Sequence, residues 1–173
     1  YDDVSWVRAP GHSSNDRMYG ESGADIITAA GGSAHIDGGI GDDELYGGQD
    51  DDVLLGGDGN DILGGDTRLN AGVGQFLLPL GQDPTYTLNG QWVEDTTNPG
   101  IDTLDGGAGN DILLGGGLSD VINGGADDDV LQGDTLFVPG GTRALFANHG
   151  TTPVALHGND RLFGGSGIDW LYG

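Results

Sequence analysis

The sequence of 173 residues contains no cysteine and only five Lys and Arg together. It has no apolar run of the ~18 residues a membrane span needs. The first absence excludes disulfides and thiolate metal sites. The second excludes nucleic acid as a partner, because phosphate binding needs Lys and Arg clusters. The third excludes a membrane span. No N-terminal signal peptide is visible. The sequence starts inside one pattern at Tyr1 and ends on Gly173, where a further unit would begin. It is therefore expected to be a piece of a longer chain, with adjacent domains of that chain among its partners.

What is abundant is glycine and acid: 37 Gly, 28 Asp and Glu, and a formal charge of −23. An ordinary hydrophobic core is hard to build from that composition, which by itself resembles a disordered chain. The acids, however, recur at fixed spacing between single aliphatics. This pattern points to a cation supplying the missing cohesion, and hard oxygen ligands favour Ca²⁺ or Mg²⁺.

The spacing is nine residues. Written as G-G-x-G-x-D-x-U-x with U aliphatic, the good units are 20–28, 38–46, 47–55, 56–64, 106–114, 115–123, 124–132 and 164–172. GGDGNDILG at 56–64 and GGAGNDILL at 106–114 are typical. Degenerate units lie between them: GHSSNDRMY (11–19), AAGGSAHID (29–37, with Ala34 in place of the Asp), and the half-units TNPGIDTLD (97–105) and ALHGNDRLF (155–163). These motifs resemble the RTX, or haemolysin-type, calcium-binding nonapeptide family. The resemblance covers about two thirds of the chain.

A six-residue glycine-rich turn followed by a three-residue strand reverses the chain twice per 18 residues. The expected fold is all-β: a right-handed parallel β-roll, or solenoid, of about six 18-residue coils. The resemblance implies Ca²⁺ between turns of successive coils, held by backbone carbonyls and by the aspartate at position six of each unit. Those aspartates are Asp16, Asp25, Asp43, Asp52, Asp61, Asp102, Asp111, Asp120, Asp129, Asp160 and Asp169. The aliphatics at position eight, Met18, Ile27, Ile36, Leu45, Leu54, Leu63, Leu104, Leu113, Ile122, Leu131, Leu162 and Leu171, are expected to stack inward as a thin core.

The pattern breaks twice, each time at Gly-Asp-Thr: 65–67 and 133–135. If each break is an insertion within one turn, the register survives. Alternate units then turn on opposite edges of the roll. One edge, here the even edge, carries Asp25, Asp43, Asp61, Asp111, Asp129 and Asp169 and is complete, giving five sites. The other, the odd edge, carries Asp16, Ala34, Asp52, Asp102, Asp120 and Asp160, and both insertions fall on it. Asp66 and Asp134 are expected to contribute ligands at these modified turns. Ca²⁺ is thus the expected cofactor, with roughly six to ten ions bound. The expected layout is a lead-in over 1–10 and one roll over 11–173, with insertions at about 66–96 and 135–154.

The insertions contain apolar and aromatic residues (Phe76, Leu77, Leu78, Leu80, Tyr86, Trp92, Phe137, Val138, Leu145, Phe146) and are expected to form short packed hairpins. Outward positions seven and nine of even units form an apolar row: Ile26, Tyr46, Ile62, Ile112, Leu114, Val130, Trp170 and Tyr172. The row is either a contact surface covered by the insertions or another domain, or a set of β-formers tolerated on the surface.

Catalytic motifs are not convincing. GHSSN at 11–15 has a nucleophile-elbow look, but the closing Gly is Asn15 and the segment is in repeat register. His12, His35, His149 and His157 lack zinc spacing. Every acidic pair falls in a metal-binding turn. The chain is read as a non-enzymatic module that folds on calcium, secreted or at the cell surface. In the family this logic suits type I secretion. Two uses stay open: a folding and secretion module of a larger toxin or exoenzyme, or a segment of an adhesin or S-layer-like protein whose insertions bind a protein or carbohydrate partner.

Overall fold

A computed structural model describes residues 6–8, 15–29, 31–69, 92–94, 99–134 and 158–173. These contain fifteen strands and, among the described residues, no helix. The strands are β1 (Trp6–Arg8), β2 (Arg17–Tyr19), β3 (Ile26–Thr28), β4 (His35–Ile40), β5 (Glu44–Tyr46), β6 (Val53–Asp58), β7 (Ile62–Gly64), β8 (Thr67–Leu69), β9 (Trp92–Glu94), β10 (Thr103–Ala108), β11 (Ile112–Gly116), β12 (Val121–Ala126), β13 (Val130–Asp134), β14 (Arg161–Ser166) and β15 (Trp170–Tyr172). They form a parallel seven-stranded sheet, β1-β3-β5-β7-β11-β13-β15, and a parallel six-stranded sheet, β14-β12-β10-β6-β4-β2. Consecutive strands of the repeats alternate between the two, as a parallel β-roll requires.

Register follows the nine-residue arithmetic across both breaks. Val53 pairs with Thr103 and Leu63 with Leu113 around the first; Val121 pairs with Arg161 and Leu131 with Leu171 around the second. A one-residue slip would have turned every aliphatic outward. Trp6–Arg8, which the repeat pattern does not reach, pairs with Ile26–Thr28 and adds a half-coil to the first sheet.

Glycine makes the turns possible. Gly57 and Gly59 have φ of 115° and 147°, values that a side chain disfavours. At four places in the regular units where glycine is missing from position two or four, the chain still takes the left-handed conformation: Glu21, Asp50, Leu118 and Asp127 have φ of 69–78°.

The core is one aliphatic layer. Ile27, Ile36, Leu45, Leu54, Leu63, Leu113, Ile122 and Leu131 are fully buried, with Leu104 and Met18 beside them and Leu162 partly buried against them. In the last described strand Leu171 is 43% exposed. The outward row behaves differently from an open face. Tyr46, Ile62, Ile112, Leu114 and Val130 are buried, whereas Trp170 is exposed.

Strands β8 and β9 pair antiparallel, Thr67 opposite Glu94, so the first insertion leaves the roll as a two-stranded ribbon. Strand β8 lies beside β5 of the seven-stranded sheet. The remaining insertion residues, including Phe76, Tyr86, Phe137 and Phe146, lie outside the described residues, as do His12, His149 and His157.

Candidate metal centres along the two turn edges

Each position-six aspartate stands at the end of a turn, where the chain re-enters a strand and its side chain is folded back under the turn. From Asp43 onward its Oδ1 accepts the backbone N–H of the residue at position six in the preceding coil. On the even edge the chain of bonds runs Asp25 to Asp43, Asp43 to Asp61, Asp61 to Asp111, Asp111 to Asp129 and Asp129 to Asp169, at 2.8–3.2 Å. On the odd edge it runs Ala34 to Asp52, Asp52 to Asp102, Asp102 to Asp120 and Asp120 to Asp160, at 2.7–3.0 Å. Both ladders cross the insertions unbroken.

The other carboxylate oxygen has no such bond. Oδ2 of Asp43, Asp52, Asp61, Asp102, Asp111, Asp120 and Asp129 is buried with no hydrogen-bond partner. An anionic oxygen left so is costly unless a cation meets it. Each faces the position-one glycine of its own unit, except Asp102, which faces Gly65 from before the first insertion. A Cβ on Gly56 would collide with Asp61 Oδ2 and with the carbonyl oxygen of Gly106 in the next coil. The same cradle of carboxylate and carbonyl recurs at Gly38, Gly106, Gly115 and Gly124. Hard oxygen donors, one carboxylate per turn plus backbone carbonyls, fit Ca²⁺. Accordingly, among the described residues no three His, Asp or Glu side chains form a metal cluster on their own.

Electrostatics says the same. Burial is the first cause in every case, and the carboxylates of neighbouring turns add to it. Against these, the N–H bond to Oδ1 pulls down. Asp102 is pushed up to about 9, with the charge of Asp66 the next cause after burial. Asp52, Asp111 and Asp120 rise to about 8, Asp61 to about 7, and Asp43 and Asp129 to about 6. Without a cation Asp52, Asp102, Asp111 and Asp120 hold protons at neutral pH, whereas Asp43 and Asp129 are largely ionised there; a divalent ion would take the place of those protons.

Of the thirteen candidate ligands, eleven occupy the ladders or their ends. Asp16 stands beside Ala34, where the odd ladder lacks a rung. There Asn15, Asp16, Arg17, Ser33, Ala34 and His35 line a cleft of about 320 Å³. Asp66 and Asp134 are placed differently, at position two of the opened turns. Asp66 Oδ1 accepts the N–H of Gly100, and its Oδ2 that of Gly117. Asp134 Oδ1 accepts the N–H of Gly158.

Sequence reasoning missed a second ladder, at position five. Asp42 accepts from Asn60, Asn60 from Asn110, Asn110 from Asp128 and Asp128 from Ile168, all by side-chain oxygen to backbone N–H. Asp51 to Ile101 and Ser119 to Asn159 do the same on the odd edge. The signal was the run of Asp, Asn and Ser before the position-six Asp.

Comparison with known proteins agrees with this geometry. The profile of the RTX calcium-binding nonapeptide repeat matches in four copies, at residues 11–36, 29–63, 96–131 and 158–173. No curated protein and no solved structure gave a match. The four copies span more than half of the sequence and follow the same coils that carry the ladders. The chain therefore belongs to the RTX calcium-binding nonapeptide-repeat family, as a calcium-binding module.

Proposed function

We propose that this chain is a calcium-driven folding module, a non-catalytic part of a larger extracellular protein. The observation that carries it is the row of buried, unpartnered Oδ2 atoms, each beside a glycine whose missing Cβ leaves room for an ion. Without cations, carboxylates stacked at ~4.8 Å per coil repel each other, and one aliphatic row cannot offset chain entropy. About eight ions would supply about +16 of charge against the −23 of the chain. Their ligands would be Asp16, Asp25, Asp43, Asp52, Asp61, Asp102, Asp111, Asp120, Asp129, Asp160 and Asp169 with the turn carbonyls. Asp66 and Asp134 add negative charge beside the odd-edge sites.

Such a module stays unfolded where calcium is scarce and folds, coil upon coil, where it is plentiful. That behaviour suits secretion of an unfolded chain. The roll is proposed to span 11–173 with β1 added before it, and the insertions to be about 66–96 and 135–154. Among the described residues no helix is long and apolar enough to cross a membrane.

Equilibrium dialysis against radioactive calcium tests the reading. Six to ten ions per chain are expected, from one per facing pair of turns; two or fewer would overturn it.

A further inference from the structure

The two turns that carry insertions differ from the other turns described in the conformation of one residue, at position two. Position two is glycine in most regular units, and at Gly39, Gly57, Gly107, Gly116, Gly125 and Gly165 it is left-handed. In the opened turns it is Asp66 and Asp134, neither of them left-handed. An ordinary φ at position two steers the chain out of the turn instead of around it.

Yet both turns are closed. A Cβ on Gly65 would meet Asp102 Oδ2, and one on Gly133 would meet Asp160 Oδ2. This is the same relation that Gly56 has to Asp61 within a single uninterrupted turn. Something must hold together ends that the sequence separates by a long excursion.

The Asp66 carboxylate takes the Gly100 N–H at 2.7 Å across 34 residues, and the Gly117 N–H of the next coil at 2.6 Å. Asp134 takes the Gly158 N–H at 3.0 Å across 24 residues. Gly100 and Gly158 are each two residues before the next ladder aspartate, Asp102 and Asp160. Both glycines are pinned from the other side as well: a Cβ on Gly100 would strike the Asp50 carbonyl, and one on Gly158 the Leu118 carbonyl. Asp66 is fully buried, and its two oxygens are met by two amides. Asp43, Asp52, Asp61, Asp102, Asp111, Asp120 and Asp129 instead leave Oδ2 without a hydrogen bond.

We propose that Asp66 and Asp134 are positioning residues that clasp the mouths of the two insertions, setting the returning Gly-x-Asp segment so that Asp102 and Asp160 reach the odd-edge calcium sites. The insertions then interrupt the sequence of the odd edge without interrupting its row of sites. The calcium half of this inference rests on the function proposed above. The clasp half rests on hydrogen bonds alone.

The test uses the calcium-loaded chain, its Asp134→Ala and Asp134→Asn variants, and Asp66→Ala. Two quantities are read: amide exchange at Gly158, Gly100 and Gly117, and calcium ions bound per chain. In Asp134→Ala the Gly158 amide should exchange at least about tenfold faster, with one ion fewer bound. Asp134→Asn keeps an Oδ1 acceptor, so both the Gly158 protection and the ion count should stay at wild-type values. Asp66→Ala should speed exchange at Gly100 and Gly117 together and lower the ion count.

Unchanged Gly158 exchange in Asp134→Ala would overturn the clasp. Loss of an ion in Asp134→Asn with Gly158 still protected would also overturn it, making Asp134 a direct ligand. If Asp134→Ala does not fold, Asp134→Asn decides on the same two quantities. A wild-type chain that binds no calcium would overturn the calcium half; faster or unchanged exchange at Gly158 in Asp134→Ala would then still separate clasp from no clasp.

Discussion

The two edges of the roll differ in the direction opposite to the one their sequences suggest. The even edge has an aspartate in all six turns, and its Asp43, Asp61 and Asp129 are pushed only to about 6 or 7, with Asp111 about 8. The odd edge has lost one rung at Ala34 and carries both insertions. Its Asp52, Asp102 and Asp120 nevertheless rise to about 8, 9 and 8. The cause is local. Burial dominates, and Asp66 lies close enough to add its charge to all three, with Asp134 adding to Asp120. An insertion opened by Gly-Asp-Thr brings an extra carboxylate to the edge it decorates, which pushes the carboxyls of that edge up further.

The largest expected effect comes from breaking the odd edge at the point of return. In Gly158→Ala the new methyl would lie on the Leu118 carbonyl, with no flexible side chain to yield. A loss of about 3 kcal/mol or more is expected. Urea melts in saturating calcium would read it, and hydrogen exchange should show the loss concentrated in β14 and β15.

Next in size is a pair of isosteric substitutions, Asp102→Asn on the odd edge and Asp43→Asn on the even one. Each keeps the Oδ1 that accepts the neighbouring coil's amide and removes the charge. With calcium present both should lose a site and raise the calcium midpoint of folding by about tenfold, or ~1.4 kcal/mol. In chelator the sign reverses, since the metal-free chain no longer has to protonate, or bury as a charge, a carboxyl on folding. Asp102→Asn should then help more than Asp43→Asn, because its carboxyl is pushed to about 9 against about 6. Equal effects would erase the difference between the edges.

Proton linkage separates the edges without mutation. The folded, metal-free carboxyls have pKa values above the ordinary 3.8, so the folded chain binds more protons than the unfolded one. Its stability is therefore fully present below about pH 4 and is lost as pH rises towards 9. Circular dichroism in chelator should show more β-signal at pH 5 than at pH 9. Between pH 7 and 9 the loss should fall mainly on amides of the odd edge. Calcium affinity should run the other way and increase with pH.

Repairing the missing rung is a smaller change. Ala34 is buried, its N–H already donates to Asp52, and a cleft opens beside it. Ala34→Asp should add one calcium ion and lower the calcium midpoint about threefold, or ~0.6 kcal/mol, by dialysis and titration.

The smallest effect is at Leu118, left-handed at φ 70° where most regular units have glycine. Leu118→Gly would relieve about 1–2 kcal/mol of strain and cost about 0.5–1 kcal/mol in unfolded-chain entropy. A net gain of about 0.5 kcal/mol in the urea melt is expected.

Most of the roll was legible because a nine-residue period fixes strand, turn and face together. The pairing of Thr103 with Val53 and of Arg161 with Val121 followed from counting alone. The position-eight aliphatics took the core positions the count gave them, save Leu171 in the last strand. What the period could not show is what departs from it. Trp6–Arg8 adds a strand without a recognisable turn before it. The burial of Tyr46, Ile62 and Leu114 depends on what lies over the sheet, which no repeat encodes. The bonds of Asp66 and Asp134 span 34 and 24 residues, and only the recurrence of Gly-Asp-Thr hinted at them.

The central claim is that cations, more than the single aliphatic layer, hold this fold together. Far-UV circular dichroism at pH 8, taken with millimolar calcium and again after excess EGTA, tests it most directly. The account predicts a β-rich spectrum that collapses towards random coil on chelation and returns when calcium is restored. A β-rich spectrum unchanged by EGTA would contradict it.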